Sequence, residues 1–348
     1  IGLTLPDLAI LVHQHDPEIQ DPRQLHVVFL GRTAGAVLGT LAGGWLCDKL
    51  PLKPLMSVCI AASGCSLALL PLAATRGLSV LSLAFGMLGF SGSSLVCCAL
   101  LTASWAFPGA AGGPVFAGMA AASSITGAIL PITLKGVHDV TMSYFISAAC
   151  AVPSLALLLI STVPEKQVRR AENYESGMCA TSLAAGAQFM VQGAYAALLN
   201  WIVTYCELQF AEKDTGWFLT VMLGFVTFGT VACRELMRHV KLFDLAWSQL
   251  ILTCLGLVPW LALPIRLSLL YGIVAFYGLV ACPVLSYPNA LLNQFTKPTS
   301  FQLAFVSLGA NTATSLAPSW AGASMETFGP SALPWILLLA NVVVLSGF

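Results

Sequence analysis

Apolar residues run along this chain in blocks of helix-spanning length, separated by short polar breaks. Crossing a bilayer as a helix takes about 20 apolar residues. Blocks of that size fall near 26–46, 54–74, 78–103, 112–134, 141–163, 181–207, 215–237, 244–263, 267–293, 301–323 and 330–348. A twelfth, shorter block opens the chain. Ile1 to His13 would rise only roughly 20 Å as a helix, too little to cross. The chain also stops inside an apolar run at Phe348, so both ends read as clipped from a longer protein. The longest polar interval carries Glu165, Lys166, Arg169, Arg170, Glu172 and Glu175. It divides the chain into an N-terminal six-helix half (1–163), a solvated cytoplasmic linker (164–180) and a C-terminal six-helix half (181–348). The predicted fold class is an all-α membrane protein, a twelve-helix bundle with a truncated first helix.

Composition strengthens this reading. Hydrophobic residues make up 57% and charged residues 9% of the 348 positions, where a soluble domain carries about a quarter charged. Mean hydropathy is +0.85. Fifteen basic and fifteen acidic residues cancel, so nothing points to nucleic acid; the expected environment is the lipid bilayer. Cys59, Cys65, Cys97, Cys98, Cys150, Cys206, Cys254 and Cys282 sit in apolar runs and read as small hydrophobes. No cysteine spacing resembles a zinc site, and no metal, cofactor or catalytic residue is expected.

With the first helix running outward, nine basic residues fall on the cytoplasmic side: Lys49, Lys53, Lys166, Arg169, Arg170, Arg234, Arg238, Lys241 and Lys297. Five fall on the other, and Arg32 lies within a span. That is a positive-inside bias. The halves also echo each other: Leu38-Gly39-Thr40-Leu41 matches Phe228-Gly229-Thr230-Val231.

Ionisable and amide groups inside spans are costly and therefore informative. Asp7 and Arg32 fall at similar depth on the first two spans, six residues from His13 and His26 respectively, and are expected to pair. Such a pair ties two helices together or gates a cavity. Gln188, Gln192 and Tyr195, at i, i+4 and i+7, lie within one arc of the span 181–207. Ser307, Asn311 and Thr314 repeat the spacing in 301–323, and Cys282, Ser286 and Asn289 do so loosely in 267–293. Polar faces of this kind avoid lipid by facing the bundle interior. Ser and Thr there also serve as helix glue. Gln192, Tyr195 and Asn311, near mid-span, suit a small, neutral, hydrogen-bonding solute, with Trp201 nearer an outer mouth.

Small residues recur every four positions at Gly31, Gly35, Gly39 and Gly43, leaving a face that a neighbouring backbone can approach closely. The same stretch ends in Gly44-Trp45-Leu46-Cys47-Asp48-Lys49-Leu50-Pro51-Leu52-Lys53. This resembles the G-x-x-x-D-[RK]-x-G-x-[RK] loop between the second and third membrane helices of the major facilitator superfamily, with Pro51 in place of the usual glycine. The resemblance implies two six-helix halves around a central site, and roles for Asp48, Lys49 and Lys53 in locking one conformation of a carrier. Within that superfamily the chain resembles the fucose-permease and sodium-dependent glucose transporter branch. Gly2-Leu3-Thr4-Leu5-Pro6-Asp7-Leu8, Gly193 through Asn200-Trp201-Ile202-Val203-Thr204-Tyr205, and Ser286-Tyr287-Pro288 carry that likeness, as do Gly309, Pro318 and Gly322. It implies a sugar-like substrate and adds Asn200 and Trp201 to the candidate substrate residues Gln188, Gln192, Tyr195, Ser286, Asn289 and Asn311. Two departures stand out. Tyr195 replaces the branch's Glu in the seventh span, and Gly89-Phe90-Ser91-Gly92-Ser93-Ser94-Leu95-Val96 lacks its Asp and Asn.

That stretch also spells the G-x-S-G of intramembrane serine proteases. The chemistry needs a histidine base at the same depth, and all five histidines lie at helix ends or in loops. The expected function is a membrane carrier, not an enzyme. The alternative is a transport-inactive, structural subunit of a larger membrane complex.

Overall fold

A computed structural model describes residues 4–19, 21–106, 140–163, 174–210, 217–237, 239–281, 287–288, 292 and 300–347. Helices α1 (Leu5–His13), α2 (Val28–Lys49), α3 (Leu52–Ala74), α4 (Leu78–Ala106), α5 (Val140–Ala149) and α6 (Ala151–Ile160) make up the N-terminal set. The C-terminal set is α7 (Tyr174–Phe210), α8 (Trp217–Leu236), α9 (Leu242–Ala262), α10 (Leu267–Ala281), α11 (Ser300–Phe328) and α12 (Ala332–Gly347). A 3-10 turn at Pro22–Val27 leads into α2. No strand occurs among the described residues.

Among the described residues, five segments are long and apolar enough to cross a membrane: Pro22–Lys49, Leu52–Ala74, Leu78–Thr102, Val140–Ile160 and Leu242–Ala262. Their outer faces carry bare apolar side chains, among them Leu38, Val58, Leu83, Leu157 and Leu255. In water that much exposed aliphatic surface would drive aggregation; in lipid it is matched by its solvent. The protein is an integral, multi-pass membrane protein. Its 37-residue α7 is about 55 Å long, longer than the hydrocarbon core, and begins seven residues ahead of the expected span. The expected span 112–134 lies outside the described residues.

The glycine stripe determines how α2 and α4 meet. A Cβ added at Gly31 would stand 2.4 Å from the Ser82 carbonyl oxygen, and one at Gly39 would stand 2.1 Å from that of Phe90. At Gly35 the Gly86 carbonyl oxygen is closer still. The two helices therefore touch backbone to backbone, and Ser94 Oγ donates across the contact to the Gly39 carbonyl at 2.7 Å. The C-terminal set repeats this contact between α8 and α10: a Cβ at Gly229 would lie 2.2 Å from the Leu279 carbonyl oxygen.

Two local devices fix the ends of these helices. Gly77 takes a left-handed φ of 97° before α4, and the Asp16 carboxylate accepts from the Leu78 backbone N–H at 2.8 Å, satisfying one orphan donor of the first turn. The span expected at 141–163 is broken at Cys150 into α5 and α6. Pro153 supplies the cause, since it has no N–H for the Ala149 carbonyl and its ring crowds that oxygen.

Candidate functional site

Helix α11 lies along both α7 and α2, and so forms the seam between the two sets of helices. Before the N-terminal end of α2 Arg23 donates to the Met325 carbonyl at 2.8 Å and is held by Asp21. His26 Nδ1 stands 3.5 Å from the Glu326 carboxylate. In the middle, Asn311 Nδ2 donates to Thr40 Oγ1 at 3.0 Å. Near the C-terminal end of α2 Gly44 faces Ala304, and Cys47, Leu303 and Ala304 share one apolar cluster with Cys97 and Cys98. Cys47 and Cys98 are free thiols with sulfurs 3.2 Å apart.

Beside this seam is a cavity of about 180 Å³ bounded by α2, α4, α7 and α11. Arg32, Ser93, Gln192, Ser307, Asn311 and Ser315 give it a polar lining, completed by Gly89, Gly92 and Leu100. Its wall on α4 runs from Leu88 to Leu100, about 18 Å of helix. Several lining groups are already committed. Ser307 Oγ donates to the Leu303 carbonyl, and Thr314 Oγ1 to that of Asn311. Others are not: Gln192 Oε1 and Ser315 Oγ are buried without a partner. A buried polar atom left unpaired costs about 1–3 kcal/mol.

Of the residues expected to bind solute, the cavity brings together Gln192 and Asn311. Gln188, one turn away on α7, is buried with both amide atoms unpartnered but does not line the cavity. Tyr195 is half-buried and outside the lining. Asn200 turns back to the Ala196 carbonyl at 2.7 Å. Ser286, Asn289 and Cys282 lie outside the described residues.

Trp201 is at no mouth. It is fully buried, donates Nε1 to the Pro318 carbonyl at 2.7 Å and packs on Phe29 and Gly322. The expected position fails because Gly322 opens a slot in α11 that the indole fills. Ser93, Ser315 and Thr40 were missed. Ser315 sits four residues past Asn311, a spacing that could have flagged it, whereas Ser93 lies in the Gly89–Val96 stretch, noted only for lacking an Asp and an Asn and for its G-x-S-G pattern.

The expected Asp7–Arg32 pair is not formed. The ion pairs among the described residues are Arg23–Asp21 and His26–Glu326. Equal depth on consecutive helices was a poor guide because the glycine stripe brings α4, not α1, onto α2, while α1 lies on α3 and the 3-10 turn. Asp7 instead stands within electrostatic range of Tyr144 and Glu207. Arg32 lines the cavity.

Asp48 and Lys49 close α2 as its last two residues. Lys49 Nζ lies 4.7 Å over the Trp45 ring. Pro51, in the glycine position of the expected loop, is the N-cap of α3 in extended conformation. Lys53 Nζ donates to the Leu159 and Ser161 carbonyls at 2.7 and 3.0 Å, a cation at the carbonyl end of α6 where the helix dipole favours it. Ser91, the serine of the G-x-S-G stretch, accepts from Ser63 Oγ and donates to the Met87 carbonyl. Among the described residues no group of three His, Cys, Asp or Glu could hold a metal ion.

No family model matches the chain, and no curated protein matches it. Solved structures do. The fucose:proton symporter FucP of E. coli is similar over 99% of this chain and 94% of its own, at 16% identity and TM-score 0.66. The major facilitator superfamily transporter FucP in the outward conformation matches over 99% and 96%, at 14% identity and TM-score 0.65. The human organic anion transporter MFSD10 matches over 99% and 95%, at 15% identity and TM-score 0.69. The chain has the major facilitator fold.

Proposed function

We propose that this protein is a membrane carrier that moves a compact polar solute by alternating access. Its moving parts are an N-terminal half, residues 1–163, and a C-terminal half, residues 181–348, which rock about a central site. The observation that carries this reading is the cavity between α2, α4, α7 and α11, with buried polar atoms of Gln192 and Ser315 left unpartnered along it. The fold likeness to proteins described as a fucose:proton symporter and an organic anion transporter supports it. A purely structural subunit has no need of such a space and would gain stability by filling it.

Alternating access gives the seam between α2 and α11 a mechanical meaning. Opening outward parts Arg23 from Met325 and His26 from Glu326; opening inward parts Gly44 and Cys47 from Ala304 and Leu303. The Asn311–Thr40 bond lies between the two gates. Lys53, seated on the end of α6, couples the α2–α3 turn to the last helix of its half, and Asp48 and Lys49 stand beside it.

The test is a single cysteine at Ser307 in a cysteine-free background, reconstituted into liposomes. A membrane-impermeant maleimide added to one face and then the other is expected to label Ser307→Cys from both. Asp48→Asn is expected to change the ratio of the two rates. Labelling from one face alone, with no change on Asp48→Asn, sinks the carrier reading.

A further inference from the structure

We propose that the solute is an anion, a small hydroxy-carboxylate whose carboxylate is held by Arg32; this rests on the carrier reading. Arg32 lies in the wall of the cavity, and among the described residues every other polar lining side chain is a neutral amide or hydroxyl: Gln192, Asn311, Ser93, Ser307, Thr314 and Ser315. Among the described residues no carboxylate lines the cavity, and neither ion pair involves Arg32. Of the fifteen acidic residues in the chain, Asp7, Glu207, Glu235 and Asp244 fall within the expected spans, and all four stand outside the cavity lining.

A guanidinium held in a membrane interior without a counter-charge is expensive. Such a cost persists where the charge has work to do, and an arriving anion supplies the missing partner. Packing does not explain it. The two sets of helices repeat the same contact: a Cβ on Gly89 would lie 2.3 Å from the Arg32 carbonyl oxygen, and one on Gly278 would lie 2.5 Å from that of Met222. Arg32 precedes Gly39 by seven residues, and Met222 precedes Gly229 by seven. The C-terminal half meets this position with an uncharged methionine, so the backbone contact makes no demand for a cation. The charge in the N-terminal half serves the cavity.

The remaining lining fixes the rest of the solute. The planar fork of a guanidinium matches a carboxylate bidentately. Gln192 Oε1, unpartnered, accepts from a hydroxyl, and Ser315 Oγ, also unpartnered, either donates or accepts. At about 180 Å³ the space is below the 300–1,000 Å³ of sites for drug-sized ligands, which favours a solute of a few carbons.

The experiment is a thermal-shift titration of the purified full chain at constant ionic strength. Sodium gluconate and sodium lactate are the probes, glucose and fucose their neutral counterparts, and sodium chloride the control. Saturable stabilisation by a carboxylate probe, with none by glucose or fucose, is expected. Arg32→Met, the residue of the corresponding position in the other half, is expected to weaken that binding roughly 10- to 100-fold, and Arg32→Lys to retain part of it. Should Arg32→Met not fold, the same comparison is made with Arg32→Lys against wild type. Three results overturn the assignment: saturable binding of glucose or fucose that does not depend on Arg32, carboxylate binding unchanged in the folded variants, or no saturable carboxylate binding at all. Each leaves the two-faced labelling at Ser307 intact, whereas loss of that labelling with Arg32-dependent carboxylate binding retained condemns the carrier reading instead.

Discussion

Replacing Gly35 by alanine is the sharpest probe of how α2 and α4 are held together. Its Cβ would meet Gly86 backbone, with the carbonyl carbon at 2.7 Å and Cα at 3.0 Å. Ordinary contact begins near 3.4 Å, so the helices must part, because no flexible side chain stands in the way to move instead. Overpacking of this kind costs about 1–3 kcal/mol. Against it stands the gain of up to about 1 kcal/mol that alanine brings over glycine in a helix. The clash wins, and Gly35→Ala is expected to lower the melting midpoint in detergent. Two comparisons make the reasoning refutable. At Gly86 the added Cβ would lie 3.2 Å from the Gly31 carbonyl oxygen, so Gly86→Ala is expected to be milder. At Gly272 nothing stands within 4 Å, so Gly272→Ala is expected to be neutral or stabilising. If all three variants shift the midpoint in the same direction by similar amounts, the backbone contact does not hold α2 against α4.

Trp201→Phe keeps the ring packing but leaves the buried Pro318 carbonyl without its indole donor, and is expected to cost about 1–3 kcal/mol of stability; a melt matching wild type would show that the bond contributes nothing. Asp21 gives a pH signature ahead of α2: burial alone would raise its pKa, but its hydrogen bonds to Arg23 and the charge there outweigh burial and hold it below the usual carboxylate range. A depressed folded value contributes stability above the unfolded value, lost as pH falls through the folded one. The gap in melting midpoint between wild type and Asp21→Asn is therefore expected to be widest near neutrality and to narrow in acid, and a gap independent of pH refutes the linkage.

The sequence alone determined whatever depends on local pattern. Blocks of about twenty apolar residues could only be spanning helices, because lipid offers the backbone no other partner. Gly31, Gly35 and Gly39 at every fourth position could only make a bare helical face. The i, i+4 spacing brought Gln192 and Asn311 to inward faces for the same reason, since an amide in hydrocarbon must find the interior. Which helix would meet each face was beyond that pattern. Asp7 and Arg32 share a depth, yet α4 rather than α1 occupies the glycine face of α2, so the pair never forms and Arg32 is left to the cavity. Trp201 looked like a mouth residue until Gly322, more than a hundred positions away, proved to open the slot that buries it. Tertiary structure decided these points because a side chain's partner depends on contacts between distant segments, which helical periodicity does not encode.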